Sequence, residues 1–417
     1  MDNPLEFRPI QKWLLQKLGD AVAPARIRLQ LATDGEAGYA GDAPVATVLI
    51  RDASTLARLI LNLEIEFGEA YAEGRIEVEG DLPALVEAAF RAIPRKRMDT
   101  RYSKLASKWL QWTQQNTLHG SRDNIHRHYD LNVDFYKLWL DSRLVYTCAY
   151  FANDAMTLEE AQLAKMDYVC RKLQLQPGET VVEAGCGWGA LALYMAQHYG
   201  VSVKAFNISS EQIAFARRQT KLAGLGDRVE FIEDDYRNIS GQYDAFMSVG
   251  MLEHVGKAHH DEMTRVIGRS MKKSSRGLLH FIGRNQPQQL HAWIRKRIFP
   301  GGYPPTLGEA VALMEPLNLS VLDVENLRMH YAWTLEHWLA RFEQSADRVD
   351  EMFGREFVRQ WRLYLAGSIA GFRSGSMQLF QLVFAGSECH SIPSTRNHLY
   401  HHQLPREKRL KWMHATP

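Results

Sequence analysis

Apolar residues change their rhythm along this chain, and each change marks an element. Over residues 27–78 they alternate in short runs, VATVLIRD and GRIEVEGD among them, broken by Gly and Asp. That alternation predicts a small antiparallel sheet. The segment DASTLARLILNLEIEFGEAYAEG spaces its Leu and Ile for a helix with a glycine stop. DLPALVEAAFRAI predicts another, starting at Asp81 with Pro83 just inside. Residues 1–94 thus read as an N-terminal α+β module, and the polar, basic residues 95–124 as a linker and docking helix. Residues 125–417 change pattern again, to strands alternating with helices, which is the sign of a parallel sheet covered on both faces. TVVEAG, VSVKAFNIS, RVEFIEDD, YDAFMSVG and RGLLHFIG are its successive strands, so the expected fold class is α/β and Rossmann-like.

Composition narrows the setting. The 417 residues are 46% hydrophobic and 24% charged, enough for two domains with a sizeable core. No apolar run approaches the roughly 18 residues of a membrane span. The opening MDNPLEFRPIQKW is acidic and polar where a signal peptide needs a basic then apolar segment, so the expected compartment is the cytoplasm. Cys148, Cys170, Cys186 and Cys389 form no CxxC pair, and neither a metal site nor a disulfide framework is expected. A net charge of +2 leaves attraction to phosphate-bearing partners to local patches. Two stretches qualify, IPRKRMDTR (Ile93 to Arg101) and IRKRIFPGG (Ile294 to Gly302), with a solvated charged face as the plain alternative.

Candidate chemistry begins at EAGCGWG. Gly185, Gly187 and Gly189 follow a strand and open a helix, so backbone amides and the positive helix end face a ligand at the carboxyl edge of the sheet. Nicotinamide sites share this logic, and so does tight packing alone. The neighbours favour S-adenosylmethionine. Glu183 offers a carboxylate to the ammonium of an aminoacyl ligand, and the second strand ends in AFNIS without the ribose-binding acid of a nicotinamide site. Asn207, Ser209 and Gln212 are neutral ribose or backbone partners. Asp235 and Tyr236 provide an acceptor for an exocyclic amine and an aromatic face for a purine. No target-base motif of the NPPY kind appears, so a nucleic-acid partner is not expected.

Seven stretches, in order, resemble the cyclopropane fatty acid synthase family over roughly residues 126–386. They are HYDLNVDFYKLWLDSRLVYTCAYF (His128 to Phe151), EAGCGWG, SVGMLEHVG (Ser248 to Gly256), LLHFIG, FPGGYPP, HYAWTLEHW and GFRSGSMQLFQLVF. The resemblance implies a class I methyltransferase domain that uses S-adenosylmethionine to add a methylene to the cis double bond of an unsaturated phospholipid acyl chain. It also implies a bound bicarbonate as base, held by residues matching Cys148, Glu253, His280, Ile282 and Tyr331. Tyr146 and Thr147 match cofactor-contacting positions, Tyr129 a tyrosine lining the channel, and Tyr303 lies in a loop near the acyl gate. Relatives are often dimers, and the resemblance admits a homodimer here. The N-terminal module's general pattern is similar to sterol-carrier-like lipid modules.

This chain departs from the family pattern at three places. Ser368 stands where many relatives have cysteine, Asn132 and Val133 replace the usual glycine after HYDL, and Glu183 replaces the usual Asp. A related enzyme that methylates an acyl chain without closing the ring therefore stays open as a reading. A bilayer substrate and a chain without a membrane span imply peripheral docking at the inner face of the membrane. Arg295, Lys296 and Arg297 are expected to face lipid phosphates there, with Ile298 and Phe299 dipping into the interface.

Overall fold

An amphipathic helix that the alternation did not announce, Arg8–Val22, opens the N-terminal module in the computed structural model, which describes residues 8–32, 35–92 and 132–400. The expected linker over 95–124, the IPRKRMDTR patch and Tyr129 lie outside the described residues. Strands β1 (Ile27–Leu31), β2 (Glu36–Gly38), β3 (Ala46–Ile50) and β4 (Ile76–Gly80) form a sheet in the order β2-β1-β3-β4. It is mixed rather than antiparallel, because β1 and β3 run parallel while β2 and β4 flank them in the opposite sense. The helix expected across DASTLARLILNLEIEFGEAYAEG is two helices, Ala53–Leu61 and Leu63–Ala72, broken at Asn62, whose backbone is not helical. Asp52 caps the first of them by accepting from the Thr55 amide at 2.8 Å. Helix Leu82–Ala92 then follows β4.

The larger sheet has seven strands. In chain order they are β5 (Thr180–Ala184), β6 (Ser202–Asn207), β7 (Val229–Glu233), β8 (Tyr243–Val249), β9 (Met271–Gly283), β10 (Ser320–Asn326) and β11 (Gln378–Ala385). Their spatial order is β10-β11-β9-β8-β5-β6-β7. β5 through β9 are parallel, and β11 inserts antiparallel between β10 and β9. The chain winds outward from β5 to β7 and then returns to the other side as β8. The crevice beyond the carboxyl ends of β5 and β8 is therefore the topological switch point, where open α/β sheets bind ligands.

The two sheets share a core. One cluster of buried apolar side chains runs from Leu29 and Ile50 in the small sheet through Trp293 to Trp139, Trp338 and Trp361. Arg359, on the long helix Arg355–Ser374, reinforces this joint by donating to the carbonyls of Tyr71 and Ile76 and to Glu77 at 2.9 Å. Its guanidinium also lies 4.3 Å from the centre of the Tyr71 ring. No helix among the described residues is long and apolar enough to cross a membrane.

Candidate active site

The glycine loop leaves β5 with all three glycines in the left-handed region: φ is +83° at Gly185, +52° at Gly187 and +88° at Gly189. Two of them serve different ends. A Cβ on Gly189 would sit 2.6 Å from Phe231 and 2.8 Å from Ala216, so this glycine lets the following helix close onto the sheet. A Cβ on Gly187 would meet nothing within 4 Å. That open side is where a ligand can reach the backbone.

Around the loop the side chains are pre-arranged. Asn207 donates through Nδ2 to Gln212 Oε1 at 2.6 Å and to the Gly187 carbonyl at 3.2 Å, which ties the loop to the end of β6. Buried Ser209 caps the next helix by accepting from the Gln212 amide. Asp235 is ion-paired within the site. Both of its oxygens accept from Arg237, at 2.8 Å from Nε and 2.7 Å from Nη2, so the carboxylate is held in place at the Tyr236 turn with lone pairs left over for a further donor. Arg237 in turn lies over the Tyr236 ring.

Glu183 is buried at the end of β5, and its Oε2 is a buried acceptor without a hydrogen-bond partner. Burial pushes its pKa up to about 8, opposed by the charge of Lys165. Lys165 was not legible as a site residue. It lies fully inside helix Leu158–Lys172, where burial lowers its pKa to about 8, and it donates to Thr147 Oγ1 at 2.9 Å. From the same helix face Gln162 donates to the Thr147 carbonyl at 2.8 Å. The available signal was two polar residues, Gln162 and Lys165, spaced for the inward stripe set by Leu158, Ala161 and Val169.

Beside this crevice a cavity of about 530 Å³ brings together Cys148, Glu253, His280, Ile282 and Tyr331, with Tyr146 and Thr147 on the same wall. Glu253 Oε1 accepts from the Ile282 amide at 3.3 Å, while Oε2 is buried without a partner. Burial lifts this carboxyl to about 7. His280 is held through Nδ1 by Gln381 Nε2 at 3.0 Å, and burial drives its pKa well down, so the ring is neutral. His280 and Gln381 are register partners on β9 and β11, a contact made by the antiparallel insertion that sequence reasoning missed. The Cys148 thiol donates to the Ala149 carbonyl at 3.1 Å, and burial raises its pKa, which keeps it protonated rather than nucleophilic. Tyr146 and Tyr364 hydroxyls share a 2.8 Å bond, and Ser368 also lines the cavity.

Two expectations need correcting. Arg295, Lys296 and Arg297 do not share one free face: the Lys296 and Arg297 side chains are exposed but ion-paired. Arg295 is buried and donates to the Leu290 carbonyl, while Arg297 and Lys296 both pair with buried Glu69 of the N-terminal module, Arg297 Nε at 2.8 Å and Lys296 at 3.3 Å. Short helix Ala292–Arg297 packs so tightly on helix Leu63–Ala72 that a Cβ on Gly68 would lie 2.5 Å from the Trp293 indole. Ile298 is buried and Phe299 lines the cavity, so neither is available to a bilayer. Tyr303 does not line the cavity as its neighbours Gly302 and Pro304 do: its hydroxyl donates to Glu309 at 3.0 Å and its amide to the Glu253 carbonyl at 2.8 Å, which supports Glu253 from behind. Asn132 acts as a helix cap, accepting from the Asp134 amide at 2.9 Å.

Fold and crevice together define a class I methyltransferase. Comparison with known proteins agrees: the mycolic acid cyclopropane synthetase family matches residues 116–382, and a domain of unknown function matches residues 16–95. A probable fatty acid methyltransferase of Pseudomonas putida is 32% identical over 93% of this chain and 100% of its own length. The cyclopropane-fatty-acyl-phospholipid synthase of Escherichia coli K12 is 34% identical over 86% of this chain and 93% of its own. Among solved structures, mycolic acid cyclopropane synthase CmaA1 complexed with SAH and CTAB aligns with a TM-score of 0.60 and 30% identity, covering 63% of this chain and 97% of that one. The chain belongs to the cyclopropane synthase family and is an S-adenosylmethionine-dependent methyltransferase.

Proposed function

We propose that this enzyme transfers a methylene group from S-adenosylmethionine to the cis double bond of an unsaturated phospholipid acyl chain, closing a cyclopropane ring, with bicarbonate as the base. The observation that carries the reading is the buried, unpartnered oxygen of Glu253 on an apolar cavity wall beside the glycine crevice. A buried acceptor left without a partner costs about 1–3 kcal/mol, a cost that a ligand bound against this wall would relieve.

The residues fit both small molecules. Gly187 gives backbone access, and the unpartnered Glu183 oxygen suits the ammonium of the donor's aminoacyl end. The Glu253 carboxylate is an acceptor for the bicarbonate hydroxyl, and the neutral His280 ring and Tyr331 are hydrogen-bonding groups for its oxygens. When bound, bicarbonate supplies the base that takes one proton from the transferred methyl carbon. The alkene is a weak nucleophile, and the mainly apolar wall keeps water from competing for the sulfonium. Positive charge that develops on the acyl chain faces the rings of Tyr146, Tyr331, Tyr364 and Phe299, which attract it through their π faces. The acyl substrate resides in a bilayer, so we infer that catalysis takes place at the membrane surface.

A second reading, methylation without ring closure, is favoured by one feature of this chain, Ser368 on the cavity wall where many relatives have cysteine. The Pseudomonas putida relative carries the broader name of probable fatty acid methyltransferase, which specifies no ring closure. Bicarbonate dependence separates the two roles of the site. Turnover on vesicles of cis-monounsaturated phospholipid should fall in buffer purged of carbon dioxide and return on adding bicarbonate. Turnover indifferent to bicarbonate would remove it from the mechanism.

A further inference from the structure

The cavity does not end at the catalytic residues. It passes between Phe67, Trp293 and Phe299 and continues into the N-terminal module, where its walls are the inward faces of β1 and β3 and the helix Leu82–Ala92. Leu29, Val48, Ile50, Leu59, Leu85 and Ala89 line this inner end. Protein interiors are normally close-packed, and side chains bordering a void lose contacts there. An open interior in so small a sheet-and-helix module therefore marks a place for a guest.

The guest's chemistry follows from the walls. Among lining residues contributed by the module, the charged ones are Glu64 and Arg91. Glu64 accepts from the Ala292 amide at the passage, and the exposed Arg91 side chain is paired with Glu87 at 2.7 Å. The remaining lining is hydrocarbon, which excludes a headgroup and suits an alkyl terminus. Resting on the proposed lipid reaction, we propose that the N-terminal module is the terminal pocket for the methyl end of the acyl chain. It thereby sets how many carbons can lie beyond the reacting double bond. Cys148 and Glu253 fix the position of the alkene, and the depth of the pocket behind Phe67 fixes the remainder.

The direct test is photo-crosslinking of the full-length enzyme with phospholipid vesicles whose acyl chain carries a diazirine either at its methyl end or next to its carboxyl. Methyl-end probes should label peptides from residues 46–50 and 82–92, and carboxyl-end probes should not. Labelling confined to residues outside the module, or the reverse pattern, overturns the assignment. Val48→Phe and Leu85→Ala supply a second measure, using lipids that share the carboxyl-to-alkene distance and differ only in methylenes beyond it. Val48→Phe should lower the long-tail to short-tail ratio of kcat/KM by roughly fourfold per methylene excluded, and Leu85→Ala should raise it, with S-adenosylmethionine affinity retained in both as the check on folding. An unmoved ratio in both variants contradicts the proposal. Methyl-end labelling without product from any lipid would instead refute the reaction and leave the pocket standing.

Discussion

Glu253→Gln isolates the electrostatic cost built into the catalytic wall. In the folded protein this carboxyl is raised from its ordinary 4.5 to about 7 by burial, only partly offset by backbone donors that include the Ile282 amide. The folded state then binds the proton more tightly than the unfolded chain. Its stability is fully present below pH 4.5, declines as pH rises towards about 7, and is flat above that value. The complete shift is on the order of 3 kcal/mol, and Gln cannot ionise, so the variant escapes that loss. The Gln oxygen still accepts from Ile282, which keeps the local geometry. Urea unfolding of both proteins at constant ionic strength should give similar midpoints near about pH 4 and a variant more stable by about 2–3 kcal/mol near about pH 8. The same substitution should abolish turnover while leaving S-adenosylmethionine binding intact, because it removes the charged acceptor for the base. A stability difference that stays constant across this pH range would refute the reasoning, since it would mean that Glu253 titrates like an exposed carboxylate.

Glu183 makes a companion prediction in binding rather than stability. Its pKa of about 8 means that a cationic ligand must draw off a proton, so S-adenosylmethionine affinity should rise with pH up to about 8 and fall above it as the ligand's own α-ammonium, with a pKa of roughly 8, deprotonates. Glu183→Gln should flatten that rise and remove the proton release seen by calorimetry in buffers of different ionisation enthalpy; an unchanged profile would reassign the residue. Gly187→Ala and Gly189→Ala should separate ligand access from packing. The first has space for its methyl and only the strain of its positive φ, about 1 kcal/mol, but should weaken S-adenosylmethionine by about tenfold. The second would drive its methyl into Phe231 and should lose folded protein before binding can be measured; equal effects from both would contradict the division of roles. Arg297→Ala strands Glu69 with Lys296 alone. It should cost about 2 kcal/mol in urea unfolding, a value discounted because the Arg297 side chain is 35% exposed, with vesicle sedimentation unchanged. Weaker sedimentation at unchanged stability would restore that helix as a docking element.

Local patterns carried much of this structure and tertiary contacts carried the rest. The five parallel strands and the glycine loop are legible because each is a short apolar run bounded by turn residues. Strands β10 and β11 are not, since MQLFQLVF has no alternation: every residue of β11 is buried, and only its insertion beside β9 explains that. Gln381 becomes meaningful only once β11 lies opposite His280. In the small sheet, the parallel pairing of β1 with β3 is set by the placing of β2 on the outer edge, which alternation cannot report. The misreading of IRKRIF has the same origin. A basic, aromatic hexapeptide looks like a membrane patch until Arg295 proves buried and Glu69, more than two hundred residues earlier, is found paired with Lys296 and Arg297. Lys165 was hidden for the opposite reason: a helix lysine is normally solvated, and this one is buried against Thr147.

The measurement that bears most directly on the central claim uses S-adenosylmethionine whose methyl group is fully deuterated, with bicarbonate and vesicles of cis-monounsaturated phospholipid, followed by mass and NMR analysis of the released acyl chains. The account predicts loss of the vinyl protons, upfield ring signals, and a product that has lost one of the transferred deuterons. A product that retains all of them on a branching methyl, or a chain that keeps its double bond, would contradict ring closure.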